Sequence, residues 1–144
     1  MDLRNFDEMP TVQSAMTPSP YFVDASDPVI EIERLMDEHE IHHMPIQEDG
    51  KIVGIVSERD LHRLVNRSLP KRDKRRIHAR QILVADPYVV DVDMPLDVVV
   101  TNMARLRIGS AIVVKQGKLA GILSTTDVCR VLAAILEVHF PNAR

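Results

Sequence analysis

Apolar residues along this chain fall into two spacings, and the same alternation of spacings occurs twice. Tyr21-Phe22-Val23-Asp24 and Tyr88-Val89-Val90-Asp91 are short β-branched or aromatic runs that close on a polar residue, as strands do. Val29, Ile32, Leu35, Met36 and His39 then recur at helical spacing, as do Leu96, Val99, Met103 and Leu106. Pro28 and Pro95 stand where the first turn of a helix accepts proline, and Asp27 is a suitable N-cap in the first case. MPIQEDGKIVGIVS and AIVVKQGKLAGILS each read as two strands joined by a tight turn, at Asp49-Gly50 and Gln116-Gly117. Helical spacing resumes over Ser57–Leu69, with Leu61, Leu64 and Val65, and over Ser124–Leu136, with Val128, Val131 and Leu132. The pattern predicts an α/β (α+β) protein built from two β-α-β-β-α units.

Sliding the chain along itself confirms the duplication at the level of residues. Residues 15–69 match residues 82–136 without a gap, an offset of 67. Identical pairs include Tyr21 and Tyr88, Val23 and Val90, Met36 and Met103, Gly54 and Gly121, Ser57 and Ser124, Asp60 and Asp127, and Arg63 and Arg130. Four of the five glycines are paired, so the repeat extends to backbone geometry. The expected division is a first unit over 8–69, a basic linker over 70–81 and a second unit over 82–138. Units of this size bury little apolar surface alone, which predicts that the two pack on each other. In the second copy Cys129, Ala133, Ala134 and Ile135 widen the apolar stripe of the last helix, predicting a dimer contact or an internal seam.

Composition narrows the function classes. The single cysteine excludes an internal disulfide and a thiolate metal cluster. MDLRNFDEMP resembles neither a signal peptide nor a membrane span, so a cytoplasmic location is expected. The net charge of −3 hides an asymmetry: residues 71–80 hold six Lys or Arg and one Asp, hence +5, which leaves −8 for the remainder. A solvated linker is the plainer reading of that basic run, and contact with phosphate or an acidic partner the other.

The candidate chemistry lies where the last strand of each copy becomes the last helix, at Ser57-Glu58-Arg59-Asp60 and Ser124-Thr125-Thr126-Asp127. Ser followed three residues later by Asp is close to a capping box, which needs no ligand. The same turn also presents unpaired N–H groups and the positive end of the helix dipole to an anion. The serine adds a hydroxyl, and an ionised Asp accepts both protons of a vicinal diol. With no Trp and 3% aromatic residues, a base would have to sit between aliphatic walls. Val23, Ile46 and Ile55, or Val90, Val113 and Ile122, could supply them, with backbone groups near Met44-Pro45 or Ala111-Ile112 reading the base edge. The same residues are equally ordinary core strands.

HHMPIQEDGKIVGIVSERDL and GSAIVVKQGKLAGILSTTDV resemble the CBS (cystathionine β-synthase) domain family, and two such domains in tandem form a Bateman module. The resemblance covers about Ser14 to Leu136. It implies pseudo-two-fold packing of the copies, a homodimer, and clefts for AMP, ADP, ATP or S-adenosylmethionine as regulatory ligand, with no obligatory cofactor. The implied nucleotide-binding set is Val23, His43, Met44, Pro45, Ile55, Ser57, Arg59 and Asp60 in the first copy. In the second it is Val90, Ser110, Ala111, Ile112, Ile122, Ser124, Thr126 and Asp127. Asp60 and Asp127 match the ribose-binding acid, and Ser57 and Ser124 the phosphate-side hydroxyl. Glu58-Arg59 against Thr125-Thr126, and His43 against Ser110, make the two clefts unlike in charge.

Rival readings are weaker. His39, His42 and His43 lie close in sequence, but no Cys or carboxylate completes a familiar metal spacing. The run KRDKRR could meet nucleic-acid phosphate, yet no groove-reading helix or aromatic platform accompanies it. No Gly-rich phosphate loop, G-x-S-x-G or H-E-x-x-H marks an enzyme. The expectation is a stand-alone, non-enzymatic regulatory module signalling to an unidentified protein. A structural or protein-interaction pair with empty clefts is its main competitor.

Overall fold

The computed structural model describes residues 7–18 and 20–142. In chain order the elements are β1 (Thr17–Pro18), β2 (Val23–Asp24), α1 (Val29–His39), β3 (His43–Glu48), β4 (Lys51–Ser57), α2 (Glu58–Leu64) and α3 (Lys71–Lys74). There follow β5 (Val84–Ala85), β6 (Val89–Asp91), α4 (Leu96–Leu106), β7 (Ser110–Lys115), β8 (Lys118–Ser124) and α5 (Thr125–His139). The expected α/β class and the duplicated β-α-β-β-α order are both present. Two four-stranded sheets have the same arrangement, β2-β3-β4-β5 and β6-β7-β8-β1. In each, a parallel pair carries the helical crossover, a hairpin follows, and a two-residue strand closes the edge antiparallel to the hairpin.

The closing edge strand comes from the other end of the repeat. One compact unit is Tyr21–Pro87, and the other joins the chain up to Pro20 with the chain from Tyr88 onward. The segment before β2 therefore completes the sheet of the second copy, and the segment before β6 completes that of the first. Equivalent bonds hold both arms at the offset of 67: Val12 N–H to Met94 O at 2.8 Å matches Ala79 N–H to Asp27 O at 2.8 Å. Val12 and Ala79 are fully buried in the respective cores.

The arms also start the helices. α1 and α4 have Pro28 and Pro95 at the N-cap, in extended conformation and without a side-chain cap. The free N–H of Val29 donates to Ile77 O at 2.7 Å and that of Leu96 to Pro10 O at 2.8 Å. Both prolines thus sit one position before the helix rather than in its first turn. Asp27 is not the N-cap either, because its carboxylate accepts the N–H of Asp24 at 2.8 Å and closes the preceding turn. α1 and α4 bury Val29, Ile32 and Met36, and Leu96, Val99 and Met103, as their periodicity predicts. Leu106, counted in that stripe, is exposed.

Both hairpin turns place two successive residues at positive φ, Asp49 at 52° with Gly50 at 76°, and Gln116 at 52° with Gly117 at 77°. That is the type I′ geometry favoured by the strand twist. Gly54 and Gly121 serve a different end. A Cβ on Gly54 would lie 2.8 Å from both Leu83 Cδ1 and Val84 O, and one on Gly121 would lie 2.8 Å from Thr17 O. Each glycine is the notch that receives an arm strand.

The last helices differ. α5 runs on to His139, whereas α2 stops at Leu64 instead of reaching Leu69. Val65 leaves it in extended conformation, and the side chain of Asn66 accepts the N–H of Ser68 at 2.9 Å. The chain then returns over α1 through Leu69, which packs on the core, and α3. The basic run is therefore not wholly solvated. Lys74 is buried, and its ammonium uses all three protons, on Glu33 Oε1 at 2.8 Å, Glu33 Oε2 at 2.9 Å and Arg67 O at 2.9 Å. In α5, Val128, Val131 and Ile135 pack on the core, while Leu132, Leu136 and Val138 remain exposed.

Two outcomes follow for stability. Gly54→Ala is expected to cost about 1–3 kcal/mol through overpacking against the arm, while Gly50→Ala, with open space around it, costs ~1 kcal/mol of left-handed strain. Urea unfolding of the two variants checks the order. Lys74→Met leaves a half-buried carboxylate without its cation and should cost about 3 kcal/mol, most of it recovered in Lys74→Met/Glu33→Val. The second copy already carries Val100 at the place of Glu33.

Candidate functional site

The two Ser-x-x-Asp tetrads occupy matching places, at the end of β4 and of β8. Extended backbone at Ser57 (φ −88°, ψ 157°) and Ser124 (φ −103°, ψ 166°) turns the strand into the helix. Each serine is the N-cap: Ser57 Oγ accepts the N–H of Asp60 at 3.1 Å, and Ser124 Oγ accepts that of Asp127 at 3.3 Å. The first helical N–H of each, on Glu58 and Thr125, donates to His42 O at 2.8 Å and Gly109 O at 3.0 Å. Up to this point the two turns are copies.

They part at the acids. Asp127 completes a capping box, accepting the N–H of Ser124 at 2.8 Å and its hydroxyl at 3.0 Å on Oδ2. Its Oδ1 accepts from Arg130 Nη1 at 3.0 Å and from Thr17 Oγ1 at 3.2 Å. Only 6% of its side chain is exposed. Asp60 makes no return bond to Ser57 among the described residues; it accepts from Arg63 Nη2 at 3.3 Å and is 30% exposed. Thr17, on the arm strand β1, was not among the sequence candidates. Its equivalent beside Ile55 is Val84, which has no hydroxyl to offer.

The remaining candidates assemble by strand register within each sheet. His43 pairs with Ser57, Pro45 with Ile55, and Val23 with Ile46. Ser110 pairs with Ser124, Ile112 with Ile122, and Val90 with Val113. The side chains of Val23, Met44, Pro45, Ile46, Val90, Ala111, Ile112, Val113 and Ile122 are buried. Those of His43, Ile55, Ser57, Ser110 and Ser124 are half-buried, and Arg59 and Thr126 are exposed. Aliphatic walls drawn from Ile46 and Val113 are not available at a surface, since both are fully buried.

Charge distinguishes the copies further. The Glu58 carboxylate pairs with the His42 imidazole and lies 3.6 Å from Arg67. The hydrogen bond to His42 is the leading cause that holds the Glu58 carboxyl below its ordinary range. His39 instead stacks on Tyr21, ring centroids 3.8 Å apart. His42 and His39 thus have separate surroundings, and among the described residues no group of three His, Cys, Asp or Glu is placed to hold a metal. An apolar groove of about 560 Å³ lies elsewhere, between Asp7–Pro10 and helices α4 and α5, and contains no tetrad residue.

Comparison with known proteins reports the same duplication. A sequence model of the CBS domain matches residues 12–67 and again 79–134. Inosine-5′-monophosphate dehydrogenase of Staphylococcus saprophyticus is 28% identical over 134 residues, covering 91% of this chain and 25% of that enzyme. The chain thus spans about a quarter of that relative's length. Among solved structures, a putative acetoin utilization protein (AcuB) from Vibrio cholerae superposes with a TM-score of 0.78 at 25% identity, covering 95% of this chain and 100% of that one. The structure of CBSX2 in complex with AMP gives a TM-score of 0.72 at 27% identity, covering 86% and 96% of the two chains.

The Glu58–His42 pair has a pH signature. Because the folded carboxyl is lowered from the ordinary 4.5, its contribution to stability is present above that value and is lost as pH falls through the lowered one. The Glu58 side chain is half-buried and its His42 partner is exposed, so solvent screening keeps the contribution small. His42→Ala should return the Glu58 titration upward toward its ordinary value, as followed by carboxyl NMR. An unchanged midpoint would assign the shift to His62 and Arg67 instead.

Proposed function

The chain belongs to the CBS domain family, and from that premise we propose that it is a regulatory module taking AMP, ADP, ATP or S-adenosylmethionine at its Ser-x-x-Asp turns. The observation that carries this reading is the pairing, in each copy, of a serine N-cap with a carboxylate one turn into the following helix. A carboxylate in that place accepts a ribose diol, while the positive end of the helix dipole attracts a phosphate. The AMP complex of a 27%-identical protein of the same fold supports an adenosine ligand. Arg59, exposed and without an ion pair among the described residues, adds a cation for phosphate in the first copy only.

The module acts without catalysis: a ligand that prefers one conformation shifts the population toward it, and a second protein reads the change. The exposed Leu132 and Leu136, one turn apart on α5, support assembly as a homodimer. A cytoplasmic location is part of the proposal. Among the described residues no helix is long and apolar enough to cross a membrane.

A thermal-shift and calorimetric series with AMP, ADP, ATP and S-adenosylmethionine, and GTP as contrast, tests the reading. A ligand at 100 times its dissociation constant adds about 2.7 kcal/mol of stability. Stabilisation by an adenosine compound and not by GTP is the expected result. No stabilisation by any of them would favour an interaction module with empty clefts.

A further inference from the structure

The two tetrads are identical at Ser and Asp, yet their acids have different surroundings. A carboxylate offers about four lone-pair positions. Asp127 has four donors on them: the N–H and hydroxyl of Ser124, Arg130 and Thr17. The first three are local, within three residues of Asp127 in sequence. Thr17 is 110 residues away and belongs to the arm strand β1. Among the described residues Asp60 has the single longer bond to Arg63, and the arm residue beside its strand is Val84.

We infer that Thr17 and Asp127 form a clasp that fastens the arm to the start of α5, so that Asp127 serves the fold while Asp60 is the acid left open to a ligand. The second half of this statement rests on the nucleotide reading above; the first does not. A diol arriving at Asp127 has to displace Thr17 or Arg130, whereas at Asp60 it meets an accessible carboxylate with capacity to spare. The residue at position 17 or 84 then acts together with the return bonds from the tetrad serine in deciding whether the acid is closed.

Four variants of the full chain separate the roles: Asp127→Asn, Thr17→Val, Asp60→Asn and Val84→Thr. Thermal unfolding should fall by about 4 °C or more for Asp127→Asn, and by less for Thr17→Val. The double variant should fall by less than the sum of the two, because both remove one contact. Asp60→Asn should leave the melting temperature within about 1 °C. Equal losses for Asp60→Asn and Asp127→Asn, or additive effects of Thr17→Val and Asp127→Asn, would overturn the clasp. If Asp127→Asn does not fold, Thr17→Val and hydrogen exchange at the Thr17–Ile122 pairing carry the same test.

Calorimetry with AMP completes it. One AMP per chain, weakened at least tenfold by Asp60→Asn and by Val84→Thr but retained in Thr17→Val, is the expected pattern. Two AMP per chain, or a single site lost in Asp127→Asn and kept in Asp60→Asn, would overturn the assignment. If AMP does not bind, ADP, ATP and S-adenosylmethionine take its place in the same series; absence of binding by all four in the unmodified chain would remove the nucleotide reading and with it the assignment of Asp60, while the thermal data would still decide the clasp.

Discussion

Each unit depends on backbone bonds to an arm that precedes the other copy in sequence. The N–H of Val29 needs the carbonyl of Ile77, and the N–H of Leu96 needs that of Pro10. Neither helix has a side-chain cap to take over. A buried N–H left without a partner costs about 1–3 kcal/mol, and each arm satisfies several such groups while adding a buried side chain and an edge strand. The duplication is therefore more than two beads on a string, because a single copy without the other's arm would lack one edge of its sheet and the start of its helix. Gly54 and Gly121 follow from the same constraint, since any Cβ there would meet an arm carbonyl.

The arm also reaches the chemistry. Because β1 pairs with β8 at Ile122 and β5 pairs with β4 at Ile55, residues 17 and 84 arrive beside the strands that lead into the tetrads. The environment of each acid is thus composed by both halves of the sequence. A change of one arm residue, from a hydroxyl to an aliphatic side chain, alters the acid's hydrogen bonds without touching the Ser-x-x-Asp motif.

Much of the fold was legible because it is carried by side-chain spacing. Val29, Ile32 and Met36, or the left-handed pairs at Asp49-Gly50 and Gln116-Gly117, leave marks that periodicity and turn chemistry can read. The arms were not legible. No identical pair links residues 10–18 with 77–85, and their main work is done by carbonyl and amide groups that every residue possesses. Asp27 looked like a cap for the same reason: its side chain is suited to capping, but the helix amide had already found a backbone partner. The length of α2 was overestimated because the stripe through Leu64 and Val65 does not show that the chain turns back to bring Lys74 onto Glu33, 41 residues away. At the site, register brought each copy's candidates into one sheet, whereas Thr17 carried no local signal because its partner lies far along the chain.

Capping a helix and receiving a diol draw on the same few lone pairs, so one carboxylate cannot fully do both at once. In Asp127 the return bond to Ser124, the pair with Arg130 and the tie to Thr17 occupy the acid on both oxygens. In Asp60 the return bond is absent while the serine cap of the helix remains, so the helix start is retained and the acid is not needed for it. Motif identity between the copies records their common origin. What each acid does is set by the donors around it, and those differ both in the return bonds from Ser124 and at a position outside the motif.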